Sequence, residues 1–212
     1  MGLGELIASL RADRKIRKLL RGARETTLAQ VPDDAFVRVI GTVEPHRARV
    51  LEAPLSGRLC AYYSLVIRVV PYPRLGPRVG MSSWQTLRDE QEGVPFELVD
   101  AAGSRAVIDP TDAWISSSFD HKAKLDSPRA AQIWERLARS FVPPRDARIE
   151  EATIAIGEKI CVFGAAVREP YRSPMEAPSP GELGYRDDLP MRLRFSGTAK
   201  FPLVIRDDLR SL

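Results

Sequence analysis

Residues 58–70 read RLCAYYSLVIRVV and form the longest β-like run of aromatic and β-branched residues in the chain. Such residues fit the pleated surface of a sheet, so the run predicts a long strand. Turn signals bound it on both sides. The sequence APLSG at 53–57 comes before it, and the proline-rich residues 71–77 end it, because proline cannot donate to a strand ladder. We therefore expect a protein built on a β-sheet.

Shorter segments with the same composition lie on both sides of this run. Strands are predicted at 35–43, 82–89, 96–100, 105–109, 114–119, 146–156, 159–167, 191–196 and 202–206. Gly103 is expected at positive φ in a hairpin loop, and Gly157 in a turn. Gly41, Gly157 and Gly164 are expected to mark bulges or tight barrel corners.

One internal helix is predicted, with Ser127 as its N-cap and Pro128 at its first position. Its apolar face is expected to hold Ala130, Trp134, Leu137, Ala138 and Phe141. Eight or nine short strands with this helix and an N-terminal helix indicate a mainly β (α+β) fold. We expect a small β-barrel or rolled antiparallel sheet, because closure removes exposed edges. Strands do not alternate with helices, which disfavours a doubly wound α/β fold.

The positive charge is concentrated at the N-terminus. The 212 residues carry a net charge of +4, whereas residues 1–24 alone carry +5 and the remainder −1. We divide the chain into a basic helical segment, 1–30, and a β domain, 31–212. Polybasic segments attract lipid headgroups or nucleic acid, although a solvated or oligomerising helix is an alternative. The residues proposed to contact an anionic surface are Arg11, Arg14, Lys15, Arg17, Lys18, Arg21 and Arg24.

The apolar residues of this segment do not form one stripe. Leu3, Leu6, Ile7 and Leu10 share a helical face, but Ile16, Leu19 and Leu20 point to roughly the opposite side. A helix lying in the membrane plane would keep a single apolar stripe. The pattern favours a helix that breaks, or one packed between two surfaces.

No recognisable catalytic or cofactor motif is present. The sequence lacks a phosphate-binding G-x-x-x-x-G-K-[ST] loop, a G-x-G-x-x-G fingerprint and a G-x-S-x-G elbow. Two histidines and two distant cysteines make a poor zinc site. His46 and His121 are expected in surface loops. A triad of His121 with Asp120 and the serines at 116–118 is an unsupported alternative, because triads depend on geometry rather than adjacency. We predict no enzyme, cofactor or metal.

Two cysteines and two acidic pairs are assigned structural roles. Cys60 and Cys161 lie in apolar strand stretches and are expected in the core, although a neighbouring basic residue on each strand leaves a redox role open. The pairs 150–151 and 207–208 are expected to be solvated strand ends. The chain has no apolar run of the ~20 residues that a membrane-spanning helix needs and no signal-peptide core. We expect a cytoplasmic protein, peripheral to the membrane at most.

The order of several short motifs resembles the GIDE-type domain. These motifs are GTVEPHRARVLEAPLSGRLCAYYSLVIRVV at 41–70, PFELVDAAGSRAVIDP at 95–110, EEATIAIGEKICVFGAA at 150–166, and RLRFSG at 192–197 before PLVIRDD at 202–208. In mitochondrial and chloroplast RING ubiquitin ligases that domain lies beside the membrane, and bacterial relatives carry it alone. The matching residues, taken as structural, are Pro54, Ser56, Gly57, Cys60, Tyr63, Asp100, Gly103, Gly157 and Gly164.

The resemblance implies a binding or sensing module that acts near a membrane or on a protein partner. The ligases depend on a RING finger with Cys/His zinc ligands, which this chain lacks, so ubiquitin-ligase activity is not implied. Contact with a partner is expected at the proline-rich loops 71–80 and 170–182. Two alternatives remain. One is a single-strand nucleic-acid-binding barrel with the basic helix as a phosphate clamp, and the other is an enzyme whose site the sequence hides.

Overall fold

The computed structural model describes residues 20–32, 35–70, 84–111, 113–141, 147–170, 191–197 and 202–207. Residues 20–22 are helical, Leu28–Gln30 form a short 3-10 turn, and helix α1 spans Pro128–Ala138. The strands are β1 (Arg24–Glu25), β2 (Phe36–Pro45), β3 (Leu51–Glu52), β4 (Leu59–Val69), β5 (Gln85–Gly93), β6 (Phe96–Val99), β7 (Arg105–Ile108), β8 (Trp114–Ser116), β9 (His121–Lys124), β10 (Arg148–Ala155), β11 (Lys159–Pro170), β12 (Met191–Ser196) and β13 (Val204–Arg206). The mainly β fold is confirmed.

Five of these strands close into a barrel. β2 pairs with β6, β6 with β7, β12 with β11 and β11 with β2, all antiparallel, while β7 and β12 pair in parallel. Numbered by chain order within the barrel, the strands run 1-2-3-5-4-1 around it, with α1 between the third and the fourth. This is the connectivity of the OB-fold, a five-stranded Greek-key barrel. The predicted small barrel is therefore present.

The alternating strand pattern of the sequence fills the barrel interior. Val37, Val39, Gly41 and Val43 of β2 are buried, while the three residues that alternate with them are half-buried. Large, fully buried side chains of this core come from four barrel strands: Phe96 and Leu98 of β6, Ile108 of β7, Ile160 of β11 and Phe195 of β12. Outside the barrel, β13 continues the sheet from β11, and β8 pairs in parallel with β13.

A second sheet is inserted between the barrel strands. The aromatic and β-branched run at 58–70 forms β4, the central strand of this sheet. β10 pairs with it on one side, and β3 and β5 pair with it on the other. β9 extends the sheet beyond β10. Helix α1 covers one face and packs against Cys60, Tyr63, Leu65, Ile67 and Ile149. Tyr62 and Ile154 belong instead to the barrel core, so the two sheets share apolar contacts.

The helix begins as predicted and ends earlier. The Ser127 hydroxyl accepts a hydrogen bond from the Ala130 amide at 3.2 Å, and Pro128 opens the helix. The helix ends at Ala138, so the prediction that Phe141 lies on its buried face is wrong. Phe141 is 40% exposed, with the Arg88 guanidinium over its ring. Ile133 is buried on the helix face instead.

The predicted strand count is lower than the thirteen strands observed. The two-residue strands β1 and β3 were not predicted, nor was β9, whose sequence HKAK has no apolar pattern. Residues 20–31 pack on the barrel: β1 pairs with β2, and Leu28 and Val31 join the barrel core. Leu20 is buried against Cys161, Phe163 and Val204 on the outer wall.

Candidate binding cleft

The resemblance motif at 53–57 forms a loop that encloses a buried carboxylate. The Leu55 and Ser56 amides donate to the two carboxylate oxygens of Glu151 at 2.6 and 3.0 Å. Gly57 has φ +72°, and its amide donates to the Ala53 carbonyl at 2.8 Å. Glu151 is 0% exposed, so its prediction as a solvated strand end is wrong. The backbone amides satisfy its charge, and the motif therefore has a structural role.

The other motif residues are also structural. Asp100 is buried, and its carboxylate accepts from the Ala102 and Ser104 amides of the predicted hairpin and from the Leu28 amide. Gly103 and Gly157 have φ of +81° and +82°, which confirms both predicted turns. Other positions expected in the scaffold lie there: Gly41 packs close to the Val99 carbonyl, Gly164 is buried in β11, and Pro54 is half-buried.

Both cysteines are buried, as expected from their apolar stretches. Burial, and after it the nearby Glu151 carboxylate, raises the pKa of the Cys60 thiol to about 11. Burial also raises the pKa of Cys161, although Arg38 opposes it. A raised pKa lowers the thiolate fraction that redox and nucleophilic chemistry require. The alternative redox role therefore loses support.

A cleft of about 590 Å³ lies between the second sheet and the chain that leads away from β7. We name it the sheet cleft. Its floor is formed by Tyr62, Ser64 and Ala152, on the sheet face opposite α1. At one end of the cleft Gly93 packs so close to Pro110 that a Cβ on residue 93 would lie 2.9 Å from a ring carbon of the proline. The facing wall is formed by Thr111, Ala113, Trp114, Ile115, Ser117 and Phe119.

Basic side chains continue the floor of the sheet cleft. Arg68, Arg148 and Lys124 lie directly opposite one another on β4, β10 and β9, and we name them the basic row. The Arg68 guanidinium lies 5.5 Å from the ring centre of Phe119, which joins the row to the cleft wall. The Arg148 guanidinium stacks on Trp84 at 3.9 Å. Like charges directly opposite on a sheet repel one another, so this face favours an anion.

Glu150 offsets part of this charge. Its carboxylate lies 2.8 Å from Arg68 Nε and 3.1 Å from Arg148 Nε, and its side chain is 3% exposed. The prediction of a solvated Glu150 is therefore wrong, because two arginines enclose it. Lys122 lies opposite Glu150 on β9 and is exposed. With Asp89 on β5, the face still holds two more basic than acidic side chains.

The two histidines lie in different surroundings. His121 belongs to strand β9 rather than a surface loop, and its Nε2 is buried without a hydrogen-bond partner. His46 is in a loop, but half-buried, with Nδ1 3.1 Å from Glu97. Ser118 donates through its amide and its hydroxyl to Asp207, at 2.8 and 3.0 Å. The residues of the alternative triad are therefore engaged elsewhere or unpaired, and Asp207 is not a freely solvated end.

A second, smaller cleft lies on the outer wall of the barrel, beside Val107 of β7 and Arg192 and Arg194 of β12. We name it the barrel cleft; its volume is about 320 Å³. Arg194 lies 3.2 Å from Asp109 and Arg192 2.6 Å from Glu169, so acidic residues compensate part of its charge. The described residues that line it are His46, Arg47, Arg49, Pro95, Val107, Asp109, Arg192 and Arg194.

The basic N-terminal residues are described only in part. Arg21 and Arg24 are exposed. Arg24 pairs with Val37 near the start of β2, whereas His46 of the barrel cleft follows the end of that strand. A strand rises ~3.3 Å per residue, which separates the two by a distance on the order of 25 Å. The other basic residues, Arg11, Arg14, Lys15, Arg17 and Lys18, lie outside the described residues. So do the predicted contact loop 71–80 and the predicted contact loop 170–182 beyond Pro170, which ends β11.

No group of three or more His, Cys, Asp or Glu side chains in the described ranges could hold a metal ion. No helix there has both the length and the apolar character needed to cross a membrane.

Comparison with protein-family models, with curated proteins and with solved structures finds no match. The GIDE resemblance stays a prediction from the sequence motifs. Sequence reasoning missed the sheet cleft, although the alternation of Arg68 with apolar residues in β4 was visible. Arg148 and Lys124 lie beside Arg68 because β10 and β9 pair next to β4, and a local sequence pattern does not predict which strands pair.

Proposed function

We propose that this protein is a non-enzymatic binding module of the GIDE kind, which recognises a segment of a protein partner in the sheet cleft. The observation that carries the proposal is the combination of an aromatic cleft with surplus positive charge at its rim. Aromatic side chains and arginine are the residues that contribute most to protein interfaces. Trp114, Phe119 and Arg68 supply both types here.

The chemistry of the cleft supports binding rather than catalysis. Its lining offers hydroxyl, amide and aromatic groups, while Glu92 is engaged by the Tyr63 hydroxyl at 2.9 Å. The two thiols are buried, and their pKa values are raised. A nucleophile needs an adjacent base or a lowered pKa to react near neutral pH.

Selection of random linear peptides displayed on phage, panned on the full chain, tests the proposal. We expect enriched peptides whose binding is lost in Ser64→Tyr, which fills the sheet cleft, and kept in Val107→Tyr, which fills the barrel cleft. Both positions are half-buried strand residues, so the variants are matched. Failure to enrich any peptide, or equal binding to both variants, would contradict the proposal.

We further propose that the basic N-terminal segment holds the protein at the cytoplasmic, anionic face of a membrane. Each basic residue near such a surface contributes roughly 1 kcal/mol, and residues 1–24 carry a net charge of +5. Sedimentation of the full chain with phosphatidylserine or phosphatidylcholine vesicles tests this. We expect salt-sensitive binding to phosphatidylserine that is lost when Arg11, Arg14, Arg17 and Lys18 become Gln. Binding that is unchanged by these substitutions would contradict it.

Single-stranded nucleic acid is a second candidate ligand, favoured by the OB connectivity of the barrel. OB-folds bind oligonucleotides on the face of their second and third strands, which are β6 and β7 here, and the barrel cleft adjoins that face through Val107 of β7. Arginine-lined grooves attract phosphates, but such sites usually add aromatic platforms for the bases. Among the described residues that line the barrel cleft there is no Phe, Tyr or Trp. This difference places nucleic acid second.

Fluorescence anisotropy with a labelled oligothymidine tests this candidate. If it is correct, Val107→Tyr and Arg49→Gln weaken binding while Ser64→Tyr does not, and log affinity falls with log salt by about 0.7 per contacted phosphate. The absence of binding at low salt would remove nucleic acid as a ligand. The same oligonucleotide added to the vesicle assay separates membrane binding from nucleic-acid binding by the basic segment.

A further inference from the structure

We propose that the partner segment is an acidic chain in extended conformation that adds as a strand to the open edge of β8, an inference that rests on the proposed protein-binding function. The pairing of β8 defines this edge. Trp114 donates its amide to the Leu203 carbonyl at 2.8 Å, within the parallel ladder with β13. In such a ladder alternate residues bond the same neighbour. The peptide groups of Ile115 therefore point away from β13.

The open edge of β8 borders the sheet cleft. Ala113, Trp114 and Ile115 all line it, and within the described ranges no strand pairs with that edge. An unpaired edge is a template for an incoming strand, whose backbone supplies affinity while alternate side chains enter pockets. A strand placed here would set side chains between Trp114 and the floor formed by Tyr62 and Ala152.

β8 belongs to the barrel sheet, whereas the edge strands β5 and β9 of the second sheet carry charged residues that discourage pairing. β9 exposes Lys122 and Lys124, and β5 exposes Arg88, Asp89 and Glu92. Charges on edge strands, lysine above all, are a common protection against unwanted pairing. β8, in contrast, reads WIS and has no charged side chain. This difference points to β8 as the edge left accessible for a partner.

The basic row and Lys122 select the charge of the incoming strand. They continue the floor of the cleft, and Glu150 and Asp89 compensate two of their four charges. An acidic segment would neutralise the remainder, whereas a basic segment would add to the repulsion. Arg68 and Arg148 are already held on aromatic rings, so little side-chain freedom is lost when they bind.

Four fluorescein-labelled peptides test the inference on the full chain. Two are unmodified, one of alternating valine and glutamate and one of alternating valine and lysine. The other two are valine–glutamate peptides with N-methyl groups on one or on the other set of alternate residues. We expect the valine–glutamate peptide to bind at least about tenfold more tightly than its lysine counterpart. N-methylation of one alternate set should abolish binding, and that of the other set should leave it. The alternation follows because the N–H groups of every second residue face β8.

Substitutions in the protein provide the second part of the test, at lysines whose side chains make no hydrogen bond or ion pair with the described residues. The double substitution Lys122→Glu and Lys124→Glu should lower the affinity for the valine–glutamate peptide by about tenfold, since each exposed ion pair contributes up to about 1 kcal/mol. Lys159→Glu, an exposed lysine on the barrel, is the matched control and should change nothing. If panned peptides depend on Ser64 but ignore these charges and N-methyl groups, the inference is overturned and the proposed function stands. If no peptide binds in the cleft, both are overturned.

Discussion

Glu151 shows at the residue scale how a carboxylate becomes part of the core. An ionised group taken out of water is costly unless donors satisfy it. The amides of Leu55 and Ser56 do so, and the turn that presents them depends on Gly57 at φ +72°. The resemblance motif at 53–57 and Glu151 therefore act as one unit, which ties a loop of the second sheet to β10.

We predict that Glu151→Ala lowers the free energy of unfolding by roughly 3 kcal/mol, because each buried amide left unsatisfied costs about 1–3 kcal/mol. Glu151→Gln should cost less, since its amide oxygen still accepts one bond. Urea denaturation measures both. Glu135→Ala on the exposed face of α1 is the control and should change stability by less than about 0.5 kcal/mol. Equal effects of the two alanine variants would refute the role of Glu151.

This residue also marks where prediction from sequence ends. The acidic pair 150–151 looks like any solvated strand end, and its burial depends on partners from 55 and 56, nearly a hundred positions away. Gly103, by contrast, needed only its neighbours to be placed at positive φ. Local conformation could be predicted at such positions, whereas the partners of buried polar groups could not.

Cys60 gives a second prediction, on pH dependence. Burial raises the pKa of its thiol from 9.0 to about 11. Between these two pKa values the Cys60 thiol therefore stays protonated in the folded state and is deprotonated in the unfolded state. The resulting stabilisation is complete below pH 9 and is lost as pH rises through 11.

Urea denaturation of the wild type and of Cys60→Ala across this pH range measures the effect. The stability difference between the two should shrink with rising pH. Tyr62, Tyr63 and Cys161 also have raised pKa values, but they are present in both proteins. Their contributions therefore cancel in the stability difference. A constant difference would show that Cys60 is not protected by burial.

At the element scale, elements with local signals were predicted and those formed by pairing were not. Ser127 and Pro128 define the start of α1, and alternation defines β2. The HKAK sequence of β9 contains no strand pattern, and it becomes a strand because β10 offers an edge. The parallel pairing of β7 with β12 joins residues nearly ninety positions apart. The register between β7 and β12 depends on closure of the barrel rather than on the local sequence of either strand.

We predict that Ser127→Ala destabilises the protein by about 1 kcal/mol, because the Ala130 amide loses its side-chain acceptor. Ser127→Asp should restore most of the loss, since aspartate caps as well as serine. Thermal unfolding followed by circular dichroism measures both. Ser140→Ala, exposed beyond the helix, serves as control. A loss in Ser127→Asp as large as in Ser127→Ala would mean that the cap does not stabilise α1.

At the scale of the whole molecule, an OB-type barrel carries a second sheet within its chain. The barrel face and the sheet cleft are separate surfaces, and fold alone does not choose between them. The choice made here depends on specific groups: the aromatic wall, the basic row and the edge of β8. The two sheets are nevertheless one structural unit, because Ala61, Tyr62 and Ile154 of the second sheet pack into the barrel core.

This shared core predicts a single cooperative unfolding transition. Leu98→Ala, in the barrel, should cost about 2–5 kcal/mol. In a chain with Trp84→Phe and Trp114→Phe, the remaining Trp134 lies on the buried face of α1, packs against the second sheet and reports on that packing. We expect Leu98→Ala to shift the Trp134 fluorescence midpoint in urea by the same amount as the circular dichroism midpoint. A Trp134 transition that stays in place would show that the second sheet unfolds independently, and the sheet cleft would then belong to an autonomous unit.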